Sequence, residues 1–239
     1  MEALLEGMVS QFSYLAWFGV TILYFLLLYF GLGSLFLRAC KFLARKDLLQ
    51  IIDTRETSSR QRRFEIRHSL KSIVIFGFSS LPIIYLIRMD FIYLLPNTWI
   101  NILWGLILLT LWNEVHFYVI HRIMHLKPMM QHIHYIHHRS TVPTVYSVYS
   151  FHWLEAFLLS TVPLTIVPFI PMPIVAVFLY PTVSILLNFA GHCNYRFGTG
   201  RGNSWRLFGT AHHEHHSKGR KNYGFALNLL DKLFSKPTK

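Results

Sequence analysis

Residues 156–191 read AFLLSTVPLTIVPFIPMPIVAVFLYPTVSILLNFAG, 36 consecutive positions without a charged side chain. One helix crosses a bilayer in about 20 apolar residues, so the run is too long for one crossing and just long enough for two. Its middle, PFIPMP at 168–173, holds three prolines where a helical hairpin would turn. A hairpin, or a re-entrant loop, returns the chain to the side it left. His152 and His192, which flank the run, therefore belong on one face of a membrane.

Working outward, uncharged runs also cover Gly7–Leu37 and Phe91–Trp112, and a shorter one, Ser72–Ile87, is closed by Arg88 and Asp90. Hydrophobic residues make up 53% of the 239 positions, with a mean hydropathy of +0.37. These features predict an all-α integral membrane protein with about four to five transmembrane helices. It is read as one domain, 1–239, in which membrane helices and a basic loop (1–113) precede a histidine-rich region (114–239). Glu2 and Glu6 precede the first run and no basic residue does, so a retained first helix is expected rather than a cleaved signal. Two cysteines, Cys40 and Cys193, do not make a disulfide framework.

The net charge is +12, but its placement argues against nucleic acid. Ten of the 23 Lys and Arg lie between Arg38 and Lys71, directly after the first apolar run, where basic residues mark a cytoplasmic loop and touch anionic lipid heads. With that loop inside, a second helix over about 72–90 leads out and a third returns, emerging from Glu114 onward on the cytoplasmic side. No G-x-x-x-x-G-K-[ST] phosphate loop occurs, and GTGRGN (198–203) is only weak glycine-rich loop chemistry. The thirteen histidines from His116 onward then fall on one face, as a cytoplasmic helical cap.

Four groups of histidine stand out. HRIMH sets His121 and His125 at i, i+4 on one helix face. HYIHH supplies His134, His137 and His138 within about a 100° arc if helical. GHCN supplies His192, and HHEHH supplies His212, His215 and His216 in the spacing of the second group. Neutral imidazole is a good ligand for iron, copper and zinc. Nine such ligands exceed one tetrahedral site, so two ions are expected. Two redox metals at a membrane surface suit dioxygen activation on a lipid. His116 and His132 are expected to face elsewhere, and His68 to be a solvated residue of the basic loop. His213 fits the same arc as its neighbours but breaks the repeated spacing.

The order H-x-x-x-H, H-x-x-H-H, H-x-x-H-H resembles the fatty acid hydroxylase/sterol desaturase superfamily from about Glu114 to Phe234. EVHFYVIHRIMH is similar to its first box, with Glu114 for the usual Asp and Tyr118 in register. HIHYIHHRSTVPT, YSFHWLEAF (with His152 and Glu155) and HHEHHSKGRKNYGFALNLLDKLF are similar to its later segments. The resemblance implies about four membrane helices, two Fe ions (zinc being able to replace them in purified protein) and oxygen-dependent hydroxylation or desaturation. It also implies a lipid substrate of sterol or fatty-acyl type. One departure is that sterol C5-desaturases tend to have two residues between the last histidine pairs; here only Glu214 intervenes, which argues against carrying over the sterol substrate.

Glu155, Asn194 and Tyr223 are candidates to hold ligand imidazoles in the right tautomer, and Arg122 is expected to pair with a lipid phosphate or a carboxylate. No C-x-x-C-H or G-x-G-x-x-G occurs, so electrons must come from outside, from cytochrome b5 or ferredoxin with a reductase. The compartment implied is the endoplasmic reticulum in a eukaryote or the inner membrane in a bacterium. The rival reading is a metal-binding or metal-transport protein. Transporters place ionisable ligands at mid-membrane, whereas these apolar runs contain no histidine or acid.

Overall fold

The computed structural model describes residues 2–197, 210–219, 221–227 and 229–234. The glycine-rich stretch 198–203 lies outside them. A first helix, α1 (Glu2–Gln11), leads into α2 (Tyr14–Ala44), which carries a π-helical turn at Leu27–Leu32. Next come α3 (Ser59–Arg88) and α4 (Trp99–Met124), each opened by a capping hydroxyl. Ser58 accepts from Gln61 N–H at 3.1 Å, and Thr98 accepts from Asn101 N–H at 3.2 Å. A π turn (Met130–His134) runs into α5 (Tyr135–His138), followed by α6 (Trp153–Ser160) and α7 (Ile174–His192). Two short helices, α8 (Thr210–Lys218) and α9 (Leu229–Phe234), complete the described chain. The strands β1 (Gln50–Ile51) and β2 (Tyr195–Arg196) pair antiparallel and tie the α2–α3 connection to the end of α7.

Four helices, α2, α3, α4 and α7, are long and apolar enough to cross a membrane. Their outward faces expose Leu15, Leu23, Trp99 and Leu103, a surface suited to lipid rather than water. α3 runs opposite to the other three, so the C-termini of α2, α4 and α7 meet the N-terminus of α3 at one end, where the histidines collect. The basic segment is less of a loop than its charge suggests. At about 1.5 Å per residue, α3 spans about 45 Å against a hydrocarbon core of about 30 Å, so its first turns, carrying Arg60, Arg62, Arg63 and Arg67, continue past the oil as helix. The second helix therefore begins at Ser59, well before 72. His68 is buried within it, with Nδ1 on the Phe64 carbonyl at 3.0 Å, and is not a solvated loop residue.

The 156–191 run does go across and back, but by unequal limbs. On the way out, only α6 is α-helical, and the rest is turns. Met172 accepts from Leu95 N–H at 3.2 Å, and Asn97 Oδ1 accepts from Val175 N–H at 3.1 Å, which places the prolines beside the α3–α4 connection, at the far end. Irregular backbone at membrane depth is tolerated where protein shields it. Val162, Val167 and Met172 are accordingly buried. The return limb is the full helix α7.

Between helices in lipid, close packing does much of what hydrophobic burial does in water. At Gly105 of α4, an added Cβ would lie 2.7 Å from the Cβ of Ala176 in α7, so glycine there sets the spacing of these two helices. Trp17 stacks on Phe178 with centroids 5.3 Å apart, seating α2 on α7. The Tyr29 hydroxyl donates to the Tyr146 carbonyl at 2.7 Å, fixing α2 to the segment after α5.

Candidate metal centre

At the histidine end, nine imidazoles converge in two groups. One holds His121, His125, His134, His138 and His215; the other holds His137, His192, His212 and His216, and within each the candidate ligand atoms lie within 4.8 Å of one another. These are the nine positions singled out by spacing, but the boxes do not map one-to-one onto groups. Residues four apart share a helix face, whereas a residue three along lies about 60° to the other side. His134 and His138 therefore join the first group while His137 points to the second. His212 and His216 form the second group's pair while His215 crosses to the first.

The nitrogen spacing suits ions. In the first group, His125 Nε2 lies 2.9 Å from His215 Nε2 and 3.3 Å from His138 Nε2, and the last two are 3.1 Å apart. In the second, His192 Nε2 lies 3.2 Å from both His212 Nε2 and His216 Nε2 and 3.4 Å from His137 Nε2. Two nitrogens each about 2.1 Å from one ion, at right angles, stand about 3 Å apart. The groups adjoin, with the His138 and His216 rings 5.1 Å apart.

Tautomers follow from the outer partners. His121 Nδ1 donates to the Tyr223 carbonyl at 2.9 Å, His215 Nδ1 to the Lys221 carbonyl at 2.7 Å and His192 Nδ1 to the Asn188 carbonyl at 3.0 Å. His134 Nδ1 lies 2.7 Å from Glu155 Oε1. Each Nε2 lone pair is thus left facing inward. The Nε2 atoms of His121 and His134 are buried and have no hydrogen-bond partner among the described residues. Such atoms in an all-imidazole pocket fit a metal.

Burial, reinforced by neighbouring imidazoles, holds His134, His137, His212, His215 and His216 well below the ordinary histidine value. For His125 and His138 burial lowers it to about 4. All seven are neutral at pH 7, the metal-binding form. Burial also pushes the Glu155 carboxyl well above its usual range, and a cation on the far nitrogen of His134 would favour its carboxylate.

Two acidic residues act through a loop. Glu114 accepts from the Ala226 and Leu227 amides at 3.0 and 3.2 Å, and Asp231 from the Tyr223 and Gly224 amides at 2.9 and 2.8 Å. Together they fix the segment whose Tyr223 carbonyl orients His121. Tyr223 thus contributes its backbone to the site, while its ring lies under Arg122, whose guanidinium carbon is 4.9 Å from the ring centroid. Arg122 also lies 5.8 Å from the Tyr118 ring, so among the described residues it sits against two aromatic rings. Asn194 is a correction of another kind. Its backbone is left-handed at φ 61°, and its side chain bonds both the N–H and the carbonyl of Asp53, at 2.9 and 2.8 Å, so it braces the α2–α3 connection and hydrogen-bonds no imidazole among the described residues.

The remaining histidines stand outside both groups. His116 bonds the Thr161 hydroxyl at 3.1 Å, His152 caps α6 through the Leu154 amide at 3.2 Å, and His132 is exposed. His213 is buried but joins neither group. Glu65, three residues before His68, is fully buried and accepts from Gln61, Ser140 and Thr144 at 2.7, 2.8 and 2.6 Å. It anchors the segment leaving the second box. No periodicity marks such a residue; only its three donors, arriving from two parts of the chain, reveal it.

Above the imidazoles lies an apolar cavity of about 400 Å³, running from Leu5, Met8 and Trp17 to Phe117, Phe151 and Phe225. Those phenylalanines are its floor against the histidines. Phe117 packs on His121 with centroids 4.9 Å apart, and Phe151 on His137 at 4.8 Å.

Helices long enough to span a membrane, a histidine cap divided into two candidate ligand groups and an apolar chamber together define a membrane protein with a site suited to metal. Residues 106–236 match the family described as fatty acid hydroxylase, and the chain belongs to the fatty acid hydroxylase/sterol desaturase superfamily. Its relatives include the lathosterol oxidases of Rattus norvegicus, 32% identical over 143 residues, and Mus musculus, 30% identical over the same length. Each match covers 58% of this chain and 46% of the relative, so the chain spans about half the length of the curated relatives it matches. No solved structure matches.

Proposed function

We propose that the chain is a non-haem di-iron oxygenase that hydroxylates or desaturates a membrane lipid, using dioxygen and electrons from an external donor, cytochrome b5 or ferredoxin. The observation that carries this reading is the division of nine imidazoles into two adjoining groups directly beneath an apolar cavity. His121, His125, His134, His138 and His215 would hold one ion, and His137, His192, His212 and His216 the other. When bound, a pair of irons supplies dioxygen reduction and the oxidising power to break a C–H bond.

The protein's part is positional. Glu155 and the Tyr223, Lys221 and Asn188 carbonyls hold imidazoles by Nδ1 so that Nε2 points inward. The phenylalanine floor and the apolar walls exclude bulk water and align a hydrocarbon segment above the imidazoles. Whether an alcohol or an alkene results depends on placing that segment to a fraction of an ångström. The basic residues from Arg38 to Lys71 favour a cytoplasmic histidine end, accessible to a soluble or peripheral electron donor. The family and the lathosterol oxidase relatives support a lipid substrate.

The test is elemental analysis of detergent-purified protein, paired with oxygen uptake and lipid product analysis in the presence of an electron donor. About two irons per chain in the wild type, falling in both His137→Ala and His216→Ala, is expected. Zinc in the same stoichiometry would report substitution during purification, and iron reconstitution should then restore oxygen uptake. No metal at any loading, or metal indifferent to both substitutions, would overturn the proposal.

A further inference from the structure

The cavity has a polar feature that the metal site does not use. Asn113 lies in α4, inside a membrane-spanning segment, is 6% exposed and lines the cavity. The Tyr180 hydroxyl donates to its Oδ1 at 2.8 Å, while its Nδ2 is buried with no partner among the described residues. Turning the amide over does not remove the difficulty, because Tyr180 satisfies one of the two polar atoms and the other is left facing the cavity. An unsatisfied amide at this depth is costly unless a ligand meets it. Among the other polar side chains lining the chamber, Tyr24 pairs with Thr182 at 2.6 Å, Thr21 with Ser80 at 3.1 Å and Ser160 with Ser79 at 2.7 Å, while Trp17 Nε1 is buried without a partner among the described residues. Asn113 shares its unspent hydrogen-bonding capacity with Trp17, and of the two it is the one that stands a turn from the phenylalanine floor.

Its position along the helix gives the feature a use. Phe117, one turn on, is part of the phenylalanine floor, and His121 follows a turn later. Asn113 stands about 12 Å from His121 along the axis, at 1.5 Å per residue. A lipid whose hydrocarbon segment rests on the floor passes this amide.

We infer that Asn113 is a specificity-determining residue that hydrogen-bonds a single hydroxyl or carbonyl oxygen of an otherwise apolar lipid in this cavity. The inference rests on the oxygenase reading for its biological meaning, but the binding event does not. The amide donates to the lipid oxygen, and the apolar walls take the rest of the molecule, so an oxygenated lipid is preferred over the matching hydrocarbon.

The experiment measures retention of tritiated 1-octadecanol by the full-length, metal-loaded protein in detergent, competed by unlabelled 1-octadecanol or by octadecane. Wild type should prefer the alcohol roughly tenfold over the alkane, the size of one buried hydrogen bond. Asn113→Leu should bring that ratio close to one while alkane binding persists. Tyr180→Phe, which keeps the volume and frees the second amide atom, should retain the preference and confirm that the cavity still forms. An unchanged ratio in Asn113→Leu, or no preference in the wild type, would overturn the inference. Loss of alkane binding as well in Asn113→Leu would pass the decision to Tyr180→Phe: alkane bound there with no preference for the alcohol, Asn113 being intact, would overturn the inference, and a retained preference would uphold it. A preference lost only in Asn113→Leu, in protein that oxidises no lipid under any electron donor, would sink the oxygenase reading and leave the subsite standing.

Discussion

The two imidazole groups are built from the same side chain, yet they are held differently. In the five-membered group, His121, His134 and His215 each have Nδ1 committed to an oxygen, one of them the carboxylate of Glu155, while His125 and His138 are only partly buried. The four-membered group is buried throughout. Only His192 has its Nδ1 engaged there; those of His137, His212 and His216 have no partner among the described residues. One group is oriented by outer hydrogen bonds and has a ligand to spare. The other is oriented by packing and has none.

The largest expected effect breaks this asymmetry directly. His216→Ala leaves three ligands in the second group and should abolish its metal and lower turnover by more than the roughly 100-fold that an outer partner alone can cost. His138→Ala leaves four in the first group and should keep both metals. Metal analysis and lipid turnover on the two variants side by side check this, and equal loss in both would erase the distinction.

Glu155→Gln sharpens the comparison from outside. The amide oxygen can still accept from His134, but the negative charge is gone, so affinity of the first group's ion should fall about 10- to 100-fold with the second unaffected. Stepwise metal titration resolves the two ions. Parallel weakening of both would show that the groups are coupled rather than separately held.

Acidification probes the partly buried pair. Histidines held near 4 in the folded chain, against an ordinary 6.5, bind fewer protons folded than unfolded. Their burial is therefore tolerated above about pH 6.5, and stability is lost as pH falls from there toward 4. Metal-free protein should melt at a clearly lower temperature at pH 5 than at pH 7.5, with a smaller difference in His125→Gln/His138→Gln. Melting that does not change with pH would contradict the assigned burial.

Arg122→Leu should have the smallest effect. Its contacts with the Tyr223 and Tyr118 rings are worth about 0.5–1 kcal/mol, so the loss should appear as a shift of a few degrees in melting temperature with both metals retained. Loss of a metal would instead assign Arg122 to the support of His121.

Much of this was legible from composition and spacing because the physics involved is local. A 36-residue uncharged run with central prolines dictates a there-and-back path, and histidines at i, i+4 share a helix face wherever that helix lies. Capping hydroxyls such as Ser58 can be recognised in sequence, but the basic residues after it read as loop because charge suggests solvent. That misplaced the start of α3 and left His68 outside the core. Asn194 looked like a site residue because it follows His192 closely, and only its left-handed backbone turns the side chain toward Asp53 instead.

The sequence by itself determined the class of the protein, the membrane helices and the nine imidazoles. Periodicity set His121 beside His125 on one helix face, but it kept His134, His137 and His138 together, and likewise His212, His215 and His216, box by box. Only the tertiary structure decided how these boxes and His192 divide into five and four. That division depends on the rotation and approach of separate helices, set by contacts such as Gly105 against Ala176, which no local pattern along the chain encodes.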